Sequence, residues 1–106
     1  MYIQIYGASM KNLIISPDTE EKLIKKHGLR RIDVEQCFRN RERSYLVETR
    51  PEHKTEPLSE WFISENDRGL LIKVVCIFIE GMIHLKSAFP PNDDEISIYN
   101  TMSENY

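Results

Sequence analysis

Glycine is scarce in this chain of 106 residues: there are four, none adjacent to another. A glycine-rich loop able to cradle phosphate groups is therefore not expected. Cysteine is rarer still, with Cys37 and Cys76 as the two examples. They form no Cys-x-x-Cys pair and share no zinc-ligand spacing with the histidines. Both lie among apolar neighbours, where a thiol behaves as a small hydrophobe. No metal site and no cofactor are expected. No apolar run approaches the ~20 residues that cross a bilayer. The longest, "LLIKVVCIFI" (Leu70–Ile79), has strand length and contains Lys73. The first ten residues have neither a basic start nor an unbroken apolar stretch, so a secretory leader is not expected there and a cytoplasmic protein without membrane partners is. Positive charge is also lacking overall, with a formal net charge of −3. That argues against a generic nucleic-acid coat.

Charge is unevenly spread. Residues 1–54 carry 11 Lys and Arg against 8 Asp and Glu, whereas residues 55–106 carry 3 against 9. A local basic surface on an acidic protein is compatible with this pattern, as are solvated helix faces. One domain spanning residues 1–106 suits the length.

The pattern along the chain predicts an α+β fold: an N-terminal strand and two helices, a four-stranded antiparallel meander, and a C-terminal helix. "IQIY" (Ile3–Tyr6) and "NLIIS" (Asn12–Ser16) read as short extended pieces. Ser16 caps a helix that opens with Pro17, places Lys25, Lys26 and His27 in its last turn, and stops at Gly28. Asp33 and Gln36 form a capping box for the second helix, with Ile32 stapled to Cys37; this helix ends near Asn40. "SYLVE" (Ser44–Glu48) and "EWFIS" (Glu60–Ser64) read as strands. The turn "NDRG" (Asn66–Gly69) leads into the apolar central strand, expected to be buried on both faces. "EG" (Glu80–Gly81) is a two-residue hairpin loop. In "MIHLKSAF" (Met82–Phe89), Ile83, Leu85 and Ser87 share one face, and His84, Lys86 and Ala88 the other. Asn92 or Asp93 caps a last helix, whose Ile96 and Tyr99 face inward; Tyr106 is a second candidate anchor. The helices are expected on one sheet face, with the other face or one end free for function.

"KKHGLRRIDVEQCF" and "DRGLLIKVVCIFIEGMIHLKSAFPPNDDEISIY" carry a resemblance. The first resembles the opening of the BrnT-like toxins of bacterial toxin–antitoxin systems. The second resembles their later half, on Gly69, Leu71, Val74, Ile83, Ser87, Ala88, Glu95 and Tyr99. The family's arginine after Ser-Ala is Phe89 here. The resemblance implies a small RelE-like α+β fold, an RNA substrate cleaved so that translation stops, and neutralisation by a DNA-binding antitoxin.

The segment "ETRPEHKTEP" (Glu48–Pro57) holds the residue types such chemistry needs. Metal-free RNA cleavage requires a base for the 2′-hydroxyl, cations for the phosphorane and an acid for the leaving 5′-oxygen. Glu48 or His53 suits the base and His53 the acid, since histidine titrates nearest working pH. Arg50 offers a bidentate fork and Lys54 a point charge. Glu48 and Arg50 share a face if the strand continues to Arg50. Lys73, which interrupts the central strand, and Lys86 are candidate RNA-binding cations. Trp61 is a candidate base-stacking platform. The same segment also reads as a polar connection between strands, or as a non-enzymatic surface for a protein or nucleic acid.

Overall fold

The computed structural model describes residues 10–105, so "IQIY" and Tyr106 lie outside the described residues. Helix α1 spans Pro17–His27. Ser16 Oγ accepts from the Thr19 backbone N–H at 3.2 Å, and proline occupies the first turn, where its missing N–H costs nothing. At the other end Gly28 takes φ +64°, and Leu29 N–H donates to Leu23 C=O. That left-handed residue closes the helix and folds Leu29 into the core beside Leu23.

Helix α2 spans Arg31–Arg39 and ends at Asn40. It starts earlier than the Asp33 cap read from the sequence. Arg30 occupies the cap, and Asp33 sits in the first turn, where its Oδ2 accepts from Arg30 N–H at 2.9 Å. The second oxygen decides this register: Asp33 Oδ1 accepts from Asn66 Nδ2 at 3.1 Å and Arg68 Nη2 at 3.2 Å. Tertiary bonds to the turn after the third strand thus use the carboxylate that was expected to cap locally. Ile32 is 47% exposed and not stapled to Cys37.

The sheet is mixed and five-stranded, in the order β1-β5-β4-β3-β2: the expected antiparallel meander runs through β2, β3, β4 and β5, and β1 adds a parallel edge strand beside β5. Its strands are β1 (Leu13–Ile14), β2 (Leu46–Val47), β3 (Glu60–Glu65), β4 (Leu71–Ile79) and β5 (Met82–Phe89). β1 runs parallel to β5; every other pairing is antiparallel. β2 is only two residues long because the chain leaves the ladder at Glu48. Glu48 N–H still reaches Ser59 C=O at 2.8 Å, but Arg50 N–H turns back to the Glu48 carboxylate at 3.0 Å.

Two turns follow their sequence chemistry. Asn66 Oδ1 accepts from Arg68 and Leu70 N–H, pinning the β3–β4 turn, and Gly69 supplies φ +83°. Glu80 and Gly81 have φ +49° and +82°, which gives a type I′ hairpin between β4 and β5. The register breaks at Val75/Cys76, where Val75 pairs with Ser87 and Cys76 with Leu85. Lys86 is the extra residue of a β-bulge. The simple alternation read along β5 is therefore corrected after Leu85. Ala88 joins Ile83 and Leu85 on the face of Val74 and Cys76, and Ser87 joins the face of His84.

Helices pack on both faces of the sheet, not on one. α1 and α2 cover the face of Phe62, Ile72, Val74 and Cys76; the Phe38 and Phe62 rings lie 4.9 Å apart, edge to face. Helix α3 (Asp93–Met102) covers part of the opposite face through Tyr99, whose ring lies 5.7 Å from that of Trp61. Asn92 and Glu95 form its reciprocal capping box. Arg43 holds its far end, donating to Ser103 Oγ, the carbonyls of Asn100 and Ser103, and Asn105 Oδ1. The central strand β4 is buried on both faces, from Ile72 through Cys76. Among the described residues no helix is long and apolar enough to cross a membrane.

Candidate functional site

The α3-covered face collects charge at the β2 edge. Glu48 is 7% exposed. Its carboxylate accepts three hydrogen bonds from Arg50: the backbone N–H at 3.0 Å, Nε at 3.1 Å and Nη2 at 3.0 Å. The Arg50 guanidinium holds the Glu48 carboxyl far below its usual range, at about 2, against the opposing effect of burial. A carboxylate that weakly basic is poorly matched to removing a proton from a hydroxyl. The pairing also raises the Arg50 pKa.

Beyond Arg50 the backbone makes a single 3₁₀ turn, Pro51–His53, closed by His53 N–H to Arg50 C=O at 3.0 Å and Lys54 N–H to Pro51 C=O at 3.2 Å. Proline at the first position presets this turn. It presents His53 and Lys54 to solvent, both exposed. The sequence reading put Glu48, Arg50, His53 and Lys54 in one cluster. The structure places all four on one continuous edge segment, where Glu48 and Arg50 pair through their side chains and the bond from His53 to Arg50 joins backbone to backbone.

Lys73 lies behind this edge, 4% exposed on the central strand. Its Nζ donates to Glu95 Oε2 at 2.7 Å and sits 4.4 Å from the centroid of the Trp61 ring. The aromatic face and the carboxylate together compensate a buried ammonium. Lys73 and Arg50 both help to hold the Glu95 carboxyl below its usual range, and Lys73 also acts on Glu48. Arg50, Glu48, Lys73 and Glu95 thus form a run of alternating charge from the β2 edge to the first turn of α3. Trp61, 6% exposed, is the floor of this region, not an open stacking platform. Lys86 is not part of it; it projects from the bulge on β5, three strands away from β2.

The sequence reading named Glu95 only among the residues that carry the resemblance; it marked neither its capping bond to Asn92 nor its role as counter-ion to Lys73. Nor did the sequence mark Ile98 and Met102, which are 50% and 65% exposed on α3. With Leu46, Val47 and Trp61 they line a groove of about 390 Å³ that also reaches Glu48, Arg50 and Lys73. A larger cleft, about 640 Å³, is lined by Arg39, Arg41 and Arg43. Those arginines have structural work: Arg39 pairs with Asp67, Arg41 stacks 4.0 Å over the Tyr45 ring, and Arg43 holds the end of α3. Among the described residues no group of three or more His, Cys, Asp and Glu could hold a metal ion. The chain matches no protein-family model and no curated protein.

Proposed function

We propose that this chain is a toxin-like, metal-independent endoribonuclease of the BrnT-like, RelE-like kind, and that the Arg50–Lys54 turn is where it meets RNA. One observation carries the reading: buried Glu48 fixes Arg50 at the sheet edge while the following turn holds His53 and Lys54 out in solvent. Glu48 acts here as the positioner of Arg50 rather than as a base. His53 is then the proton-transfer group. It takes the proton of the 2′-hydroxyl as that oxygen attacks phosphorus, Arg50 and Lys54 neutralise the phosphorane, and the imidazolium so formed returns that proton to the 5′-oxygen as its bond to phosphorus breaks, producing a 2′,3′-cyclic phosphate. The partner in this reading is a DNA-binding antitoxin that covers the turn.

A second reading, a non-enzymatic protein- or nucleic-acid-binding module, draws on different observations. The net charge is −3, Phe89 stands where the resembled family carries an arginine, and Glu48 is too weakly basic to take a proton from a hydroxyl, which together favour binding without cleavage. Purified protein incubated with RNA separates the two. The ribonuclease reading expects cleavage that EDTA leaves unchanged, cyclic phosphate ends, and a loss of about 10²-fold or more in His53→Ala. RNA retained without cleavage favours the binding module; neither cleavage nor retention overturns the ribonuclease reading and leaves only a protein-binding module.

A further inference from the structure

We infer that the groove between α3 and the β2 edge is a nucleotide subsite, taking one base of an RNA strand with its phosphate on Arg50. This rests on the RNA reading above and adds the place where the strand is held. Its volume of about 390 Å³ falls in the range of small-ligand sites, ~300–1,000 Å³, and is too small for a docked helix. Its walls are apolar, with Ile98 and Met102 left half-exposed or more on a helix that otherwise buries only Tyr99. Apolar and aromatic side chains hold unstacked bases through their π faces.

Arg50 offers a phosphate hydrogen-bond donors at the groove, although Glu48 offsets its charge. A guanidinium has five N–H donors. Glu48 takes one from Nε and one from Nη2, so three remain on a side chain that is 56% exposed. The same pairing holds the fork in place before any ligand arrives, which lowers the cost of binding. Thr49 is the one neutral hydroxyl or amide side chain in the lining. Base-edge readout is therefore minimal, and the subsite accepts bases with little discrimination.

Trp61 is the chain's only tryptophan and forms the groove floor, so its fluorescence reports occupancy. Adenosine 5′-monophosphate is expected to change that emission saturably, with adenosine and inorganic phosphate each at least tenfold weaker. Ile98→Glu and Met102→Glu, at exposed positions, should weaken binding of the nucleotide tenfold or more with unchanged circular dichroism. Arg50→Ala should abolish the advantage of the nucleotide over adenosine. No saturable change at millimolar nucleotide, or binding untouched by both glutamate variants, overturns the subsite. His53→Ala keeps the two proposals apart: it should remove cleavage and leave nucleotide binding intact. Nucleotide binding by a wild-type protein that cleaves no RNA supports the subsite and removes only the ribonuclease reading.

Discussion

Glu48 and Arg50 show how one residue pair can set both a boundary and a site. Their three hydrogen bonds end β2, because the Arg50 N–H that would continue the ladder is given to a side chain. They also store acid-sensitive stability. The folded-state pKa of Glu48 is depressed to about 2 from an ordinary value near 4.5. The unfolded chain therefore binds a proton first as pH falls, and the pair's contribution is complete above about pH 5 and lost progressively toward pH 2. Glu95, also depressed, adds to the loss in the same direction. Glu48→Gln should cost about 1–2 kcal/mol at neutral pH, discounted because Arg50 is half in water. Its urea midpoint should also fall less steeply than wild type between pH 5 and 3; parallel pH profiles would refute this account of the pair. The cysteines were legible one residue at a time. Burial pushes both thiols up to about 12, as expected of small hydrophobes inside a core.

At the scale of elements, signals confined to a few neighbouring residues were readable and those that needed a distant partner were not. Ser16, Pro17 and Gly28 bound α1 as the sequence indicated, since each acts within one turn of itself. The start of α2 was misread because Asp33 also serves Asn66 and Arg68, more than thirty residues away. The bulge at Lys86 was hidden for a similar reason: its extra residue exists only relative to β4. The β4–β5 turn shows the opposite situation, a local position with a suboptimal residue. Glu80 holds φ +49°, which asparagine tolerates better than glutamate does. Glu80→Asn should stabilise by about 0.5–1 kcal/mol and raise the melting temperature by roughly 2–8 °C. A calorimetric scan checks it, and an unchanged or lower midpoint would show that the Glu80 side chain contributes something in this turn that its backbone angle does not reveal.

For the whole molecule, charge is the quantity that bears on RNA. The net charge of −3 leaves only a few cations at the proposed contact: Arg50 and Lys54, with His53 beside them when protonated. Binding to a single strand should therefore depend weakly on salt, with a slope of log affinity against log salt of about −1.5 to −2. A slope near −5 in a filter-binding titration would mean that the segment Lys22–Arg43, which holds eight Lys and Arg against three acids, meets the nucleic acid instead of the turn. The sequence by itself determined the α+β class, the α1 caps, the two tight turns and the run of Glu48, Arg50, His53 and Lys54, because spacing and local backbone preference act over a few residues. Tertiary structure alone decided that α3 crosses to the second face and sets Glu95 on Lys73. It also decided that Trp61 becomes a floor instead of an open surface, and that Ile98 and Met102 shape a groove beside Arg50. Those contacts join residues dozens of positions apart, and their energy comes from burying apolar area and pairing buried charge, which no local pattern encodes.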